Sequence, residues 1–192
     1  MYNLLTPEEK EKLKTIEAQK DQLLFHEDES CEYAGIVVSG QISIKSYNLN
    51  GKEVVYNTIK KDGIFGNNLL FSTDSRYKGD VIAIEDSIVA LMDKNTLLRT
   101  LQENSSFLEY YLKIQADSLK NYNFKVKLFS FDSSRERFMY YLNYHQGIIH
   151  FDSVSSLANE LSLTRENVSR LLASLVKEEI IIKEKQLVKL ID

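Results

Sequence analysis

The chain of 192 residues contains one cysteine, one proline, no tryptophan, three histidines and seven glycines. A single thiol, Cys31, forms no internal disulfide and no cysteine-rich metal site, and an iron–sulfur cluster needs several thiolates. Cys31 is expected as a half-buried strand residue. Only His26 falls in the N-terminal part of the chain. A metal-dependent enzyme built on a small β-barrel needs several histidine and carboxylate ligands converging inside it, so that reading finds no support. His26 reads as a strand-end residue, and His145 and His150 read as flanking a turn at Gly147. No metal, no cofactor and no enzymatic activity is implied. Also missing is any run of about 18 apolar residues, so no membrane span or membrane partner is indicated. The opening MYNLLTPEEK lacks the charged-then-apolar layout of a signal peptide, and a cytoplasmic setting is the expectation. Net positive charge is lacking too, with 24 Lys and Arg against 28 Asp and Glu. That balance counts against a nucleic-acid partner for the chain as a whole. The excess acid is uneven: residues 1–132 carry 16 basic and 20 acidic side chains, residues 133–192 eight of each.

What is present suffices for a core, with 43% hydrophobic and 27% charged residues. Thr6-Pro7-Glu8-Glu9 has a capping Thr, a Pro suited to the first helical position and a Glu three residues past the cap, which predicts a helix to about Ala18. From Leu23 the texture turns to short β-rich runs, Ile36 to Val38, Ile42 to Tyr47 and Val54 to Ile59, broken by Gly40, Asn50-Gly51 and Asp62-Gly63. Asn50-Gly51 predicts a tight hairpin with both residues at positive φ. VIAIEDSIVALM, 81 to 92, adds further strand pattern. Together these runs suggest a small barrel or sandwich over about residues 20 to 93.

After a short helix near Lys94 to Gln102, Asn104-Ser105-Ser106 offers caps, and no Pro or Gly interrupts the run to about Phe129. Leu108, Leu112, Gln115, Leu119, Tyr122, Val126 and Phe129 fall at alternating steps of four and three, a coiled-coil seam with one polar interruption. A second stripe, Phe107, Tyr111 and Ile114, suits packing against the β domain. Such a two-faced helix also fits a buried core helix; the strict 4-3 spacing favours a two-chain seam. Ser133-Ser134-Arg135-Glu136 reads as a capping box, with SFDSS as a hinge before it. The new helix is expected to run to about Gln146, with Phe138, Tyr141 and Leu142 inward.

Asp152 and Ser153 can cap a short helix with Val154, Leu157, Ala158 and Leu161 on one face. Thr164 then caps a second, whose Val168, Leu171, Leu172, Leu175 and Val176 keep the helical period. Glu166, Ser169, Arg170, Ala173 and Lys177 fall opposite, with Arg165 at the edge. Two such helices joined by a three- to four-residue turn make a helix-turn-helix, which projects the start of its second helix into the DNA major groove. Arg bonds bidentately to guanine, Glu accepts from cytosine N4, and a small Ser permits close approach. Thr164 is placed to meet a phosphate. Ile180 to Lys183 and Leu187 to Ile191 read as a hairpin wing. The competing reading is a ligand-binding or interaction protein whose helix-turn-helix is only structural, its polar side merely solvated.

LANELSLTRENVSRLLASLVKEEII resembles the recognition segment of the cyclic-AMP receptor protein/FNR (CRP/FNR) superfamily of bacterial transcription regulators. The family core, roughly [ST]-R-E-x-V-[SG]-R, is matched by Thr164-Arg165-Glu166-Asn167-Val168-Ser169-Arg170, and the resemblance runs from about Leu23 to the C-terminus. It implies an α+β chain with three parts. These are an N-terminal cyclic-nucleotide-binding-like β-roll (jelly-roll), residues 1–103; a long dimerisation helix and hinge, 104–131; and a C-terminal winged helix-turn-helix, 132–192. It also implies that Arg165, Glu166 and Arg170 contact base edges and that the long helix forms a homodimer. The implied partners are double-stranded DNA at a roughly palindromic site, a second copy of the chain, RNA polymerase and a small-molecule effector of unknown identity.

Two departures stand out. Ser162 occupies the place of the family's usual turn glycine, which puts a side chain at positive φ for about 1 kcal/mol. Ile64-Phe65-Gly66-Asn67-Asn68-Leu69-Leu70-Phe71 resembles the family's phosphate-binding cassette, but Asn67 stands where Glu would hold the ribose and Tyr77 where Arg would neutralise the phosphate. Arg76 and Lys78 flank that position, and Tyr122 and Asn123 match the polar pair that meets adenine in nucleotide-binding members. The effector pocket is therefore expected from Gly66, Asn67, Asn68, Tyr77, Lys78, Tyr122 and Asn123, for a ligand other than cyclic AMP.

Overall fold

The computed structural model describes residues 1–51 and 53–191. Contacts divide the chain into two compact units, Met1–Ala116 and Asp117–Asp192.

The first unit is built from two four-stranded antiparallel sheets. One contains β1 (Lys14–Ala18), β3 (Tyr33–Ser39), β6 (Ile64–Phe65) and β8 (Ser87–Asp93), in the order β1-β8-β3-β6. The other contains β2 (Leu23–Phe25), β4 (Gln41–Tyr47), β5 (Glu53–Lys60) and β7 (Asp80–Ala83), in the order β2-β7-β4-β5. Ala34, Ile36, Val37, Val89 and Leu91 from the first sheet and Ile42, Ile59, Val81 and Ala83 from the second share one buried cluster. This two-sheet arrangement is the small barrel or sandwich that the short alternating runs predict and the β-roll that the resemblance implies. Gly40 turns the chain from β3 to β4 at φ 80°, and a Cβ there would meet Ser87 Oγ at 2.2 Å.

Three expectations need correction. The Thr6-capped helix α1 is a single turn, Pro7–Glu11, although its reciprocal Thr6 and Glu9 bonds form as predicted. Residues 14–18 are instead strand β1, paired with β8 from Lys14↔Leu91 to Ala18↔Ser87, so a partner far along the chain outweighs the local helical signal. In the β4–β5 hairpin, Tyr47 pairs with Glu53 and the Gly51 amide bonds to Asn48 O at 2.9 Å. Of the Asn50-Gly51 pair only Gly51 has positive φ, so the turn is wider than the two-residue form. Cys31 is fully buried, at 4% exposure, and lies just before β3 rather than in a strand.

Helix α2 (Lys94–Glu103) is capped by Asp93, whose side chain accepts from the Thr96 amide. Asn104 Oδ1 then accepts from the Phe107 amide at 3.0 Å and starts α3, Ser105–Phe129. Phe107, Tyr110, Tyr111 and Ile114 pack on the core of the first unit, as the second stripe predicts. Farther along α3, Phe124 and Leu128 pack in the core of the second unit. The seam residues face outward, with Leu112 57%, Leu119 60%, Tyr122 65%, Val126 54% and Phe129 43% exposed, and Leu108 and Gln115 in between.

The second unit contains α4 (Ser134–Tyr144), α5 (Val154–Leu161), α6 (Arg165–Lys177) and a small antiparallel sheet. That sheet joins β9 (Ile148–His150), β10 (Ile181–Glu184) and β11 (Leu187–Leu190) in the order β10-β11-β9. Ser133 caps α4 by accepting from the Arg135 and Glu136 amides, without the return bond from Glu136 that a full capping box requires. Phe138, Tyr141 and Leu142 point inward as predicted.

Candidate nucleic-acid interface

Leu157, Ala158 and Leu161 bury one face of α5, and Ser153 opens that helix with a reciprocal bond pair to Ser156. The helix stops at Ser162, whose φ of 49° and ψ of 45° are left-handed. The Leu163 amide bonds back to Ala158 O at 2.9 Å. This closes the helix C-terminus in the manner normally reserved for glycine. Thr164 Oγ1 accepts from the Asn167 amide at 3.2 Å and starts α6. The linker between the helices is thus three residues, Ser162 to Thr164.

Val168, Leu172 and Leu175 are buried to 0–1% exposure in a cluster with Leu128, Phe138, Leu142, Leu157, Leu161, Ile181 and Val188. Burying each such side chain stabilises the unit by about 1.5–3 kcal/mol, which fixes the rotation of α6 about its own axis. Val176, expected on the inner face, is 42% exposed and lies at the fringe of that face. The opposite side carries Thr164, Arg165, Glu166, Ser169 and Arg170, all exposed, and the last four line a single open depression. Arg170 Nε donates to Glu166 O at 3.4 Å. Among the described residues neither Arg165 nor Arg170 is ion-paired. Arg165 and the two Nη groups of Arg170 are thus left to donate to an outside acceptor.

Sequence reasoning passed over the residues that hold α6 in place. Asn167 Nδ2 donates to Ser134 Oγ at 3.0 Å, Arg135 bonds Glu178 at 2.9 and 2.6 Å, and Ser174 Oγ donates to the same carboxylate at 2.7 Å. The Arg135 guanidinium, and then the Ser174 hydroxyl, hold the Glu178 carboxyl down at about 2. Arg137 donates through Nη1 to Leu161 O at 3.2 Å and through Nη2 to Phe131 O at 2.7 Å. The local signal at Ser133 to Arg137 was a helix start, and nothing in it names partners so distant in the chain.

Of the pocket residues expected in the first unit, Gly66, Asn67 and Tyr77 are buried. Tyr77 is 1% exposed, with its hydroxyl on Tyr33 O at 3.3 Å. Burial, and then the hydrogen bond with Cys31, push the phenol well above its ordinary pKa. Cys31 Sγ lies 3.4 Å from Tyr33 O and 3.5 Å from Gly66 O, and burial raises its thiol pKa as well, which disfavours a reactive thiolate. Asn67 is 5% exposed and donates to Tyr111 Oη at 3.4 Å. Gly66 has φ 71°, and a Cβ there would meet Tyr33 O at 2.6 Å. Asn68 and Lys78 remain exposed, and Lys78 is paired with Asp74. Arg76 donates to Asp28 O at 3.0 Å. The structure therefore gathers Gly66 and Tyr77 around Cys31 and Tyr33, while Asn67 turns to Tyr111 and Asn68 and Lys78 stay exposed. Tyr122 and Asn123 belong to the second unit and are exposed on α3.

His26 is exposed, with Nδ1 4.0 Å from Asp80; His145 caps the end of α4 and His150 lies in β9. Among the described residues no group of three or more His, Cys, Asp or Glu is gathered as a metal site, and no helix is long and apolar enough to cross a membrane.

Residues 15–104 match the cyclic nucleotide-binding domain. The anaerobic regulatory protein of Bacillus subtilis (strain 168) is 25% identical over 174 residues, which span 85% of this chain and 73% of the relative. A CooA mutant from Carboxydothermus hydrogenoformans, 18% identical, superposes with a TM-score of 0.69 over 95% of this chain and 85% of its own. The Thermus thermophilus catabolite activator protein, 20% identical, superposes at 0.58 over 97% and 91%. At these identities the two structures establish a shared fold.

Proposed function

We propose that this chain is a transcription regulator of the CRP/FNR kind that binds DNA as a homodimer and reads it with α6, a reading supported by the cyclic nucleotide-binding domain match, the regulatory relative and the shared fold. The observation that carries this reading is the division of α6. Val168, Leu172 and Leu175 are committed to the core, while Arg165, Glu166, Ser169 and Arg170 share one exposed surface, with neither guanidinium in an ion pair among the described residues. Arg165 and Arg170 donate to guanine O6 and N7, Glu166 accepts from cytosine N4, Ser169 lets the helix approach closely, and Thr164 meets a phosphate beside the helix N-terminus. The seam Leu108, Leu112, Gln115, Leu119, Tyr122, Val126 and Phe129 pairs with the same stripe of a second copy. Two copies of α6 then lie about 34 Å apart, one turn of DNA, on a roughly palindromic site.

The β-roll in this reading does not take cyclic AMP. The position that would supply a phosphate counter-ion holds a buried phenol bonded to the main chain, and an uncompensated phosphate is costly to bury. The roll supports the dimer or answers an effector of different chemistry.

The test is a mobility shift on DNA selected by the wild-type protein. Arg165→Ala with Arg170→Ala is expected to abolish preference for the selected sequence at physiological salt, since each Arg–guanine pair contributes about 1–3 kcal/mol of discrimination. Wild-type affinity in the double variant would overturn the assignment. Calorimetric titration with cyclic AMP is expected to show no heat of binding; saturable binding would overturn the reading of the roll.

A further inference from the structure

The first turn of α4 reaches three places on the helix-turn-helix at once. Ser134 accepts from Asn167 in the first turn of α6, and Arg135 grips Glu178 at its far end. Arg137, between them, reaches the end of α5. The Leu161 carbonyl it binds is among those that a helix leaves without an internal partner at its C-terminus, where a cation is also favoured by the helix dipole. The next residue is the left-handed Ser162 that sets the path from α5 to α6. The other donated bond, to Phe131 O, lies in the segment that follows α3, and the same guanidinium sits 5.9 Å from the Phe129 ring.

Arg137 Nε is enclosed and has no partner among the described residues. An enclosed donor without an acceptor is unfavourable, so an apolar side chain would fill this place with less loss. A planar fork with separate donors, by contrast, can hold two carbonyls from different segments at a fixed separation. Its geometry fits alignment better than cohesion.

We propose that Arg137 is a positioning residue that ties the segment leaving α3 to the turn before α6, so that the direction of α6 follows the end of α3. This rests on the reading of α6 as the DNA-reading helix. A displacement of the Phe131 carbonyl is passed through one rigid guanidinium to the Leu161 carbonyl, and from there through Ser162 and Thr164 to the start of α6. Ser134 and Arg135 hold the two ends of α6 against α4, so α6 moves with that helix.

The experiment uses the full chain with Arg137→Ala and Arg137→Lys, on DNA selected by the wild type and on a scrambled duplex. The alanine variant is expected to keep its affinity for scrambled DNA and to lose at least tenfold in preference for the selected site. The Leu163 amide is expected to exchange hydrogen at least tenfold faster without DNA, and the lysine variant, whose ammonium can donate to both carbonyls, to recover part of both effects. A purely structural role would lower the active fraction in stoichiometric titration and leave the preference of that fraction unchanged, which would overturn the proposal. Unaltered Leu163 exchange in both variants would overturn it as well. If the wild type itself prefers no sequence, the reading of α6 fails, and the exchange arm still decides whether Arg137 holds the turn. Should the alanine variant not fold, the comparison of lysine variant with wild type carries both measurements.

Discussion

Tyr77 and Phe25 stack with ring centroids 4.9 Å apart and planes 19° from parallel. The pair packs against the buried core of the roll, at the position where the sequence resemblance would put a phosphate-neutralising Arg. Replacing Tyr77 with Phe removes the hydroxyl's bonds to Tyr33 O and Cys31 and is expected to cost about 1–2 kcal/mol. Tyr77→Ala leaves a cavity and is expected to cost about 3–5 kcal/mol. Denaturant unfolding followed by a probe in the first unit separates the two; equal losses would mean that the hydroxyl, rather than the ring, sustains the site.

Ser162 sits at φ 49° as an L-residue, with its side chain exposed. Glycine is free of the Cβ strain of this conformation, and Ser162→Gly is expected to raise stability by about 1 kcal/mol. DNA affinity should be unchanged, because glycine adopts the same left-handed conformation and so preserves the path from α5 into α6. Thermal unfolding monitored on the second unit checks the sign.

The Arg135–Glu178 pair gives acid stability a recognisable shape. The folded Glu178 pKa, at about 2, lies below the 4.5 of a free side chain. The unfolded chain therefore binds the proton more readily, and the contribution is complete above pH 4.5 and disappears as pH falls toward 2. Arg135→Ala is expected to flatten the stability profile across that window. Both groups are solvent-exposed, so salt should shrink the difference between variant and wild type. Stability measured from pH 5 to pH 2 at low and high salt provides the check.

Leu112 and Leu119 lie on the outward stripe of α3 and in neither buried cluster. Leu112→Asp with Leu119→Asp is expected to leave each unit folded and to yield monomers in sedimentation, with loss of tight binding to a two-half-site DNA. An unchanged dimer would move the interface elsewhere on the surface.

Features encoded within a few residues were legible in advance. Alternation revealed most strands of the roll, the 3.6-residue period divided α6 into its two faces, and caps at Ser133, Ser153 and Thr164 marked helix starts. Misreadings arose where a remote partner decided the outcome. Lys14–Ala18 continues a helical signal but pairs with β8, and Ile148–His150 is too short to announce itself as a strand until β11 lies beside it. The sequence shows that Tyr77 brings no positive charge, but its burial depends on Phe25, Cys31 and Tyr33 converging from other strands and loops. The residues that brace α6 were least visible, because Arg135 and Arg137 gain their meaning from Glu178 and Leu161.

Strand β5 ends its sheet, bonded to β4 on one side. Ile44 pairs with Asn57 but Lys45 with Val55, and past this irregularity Val54, Val55 and Tyr56 are all exposed. A strand that ends its sheet with apolar side chains exposed is a template for another chain's strand unless something disrupts its regularity. The irregularity, with Glu53 and Lys60 at the two ends of β5, is what blunts this margin, and a variant with a regular β4–β5 pairing is the one expected to form ordered aggregates in concentrated solution.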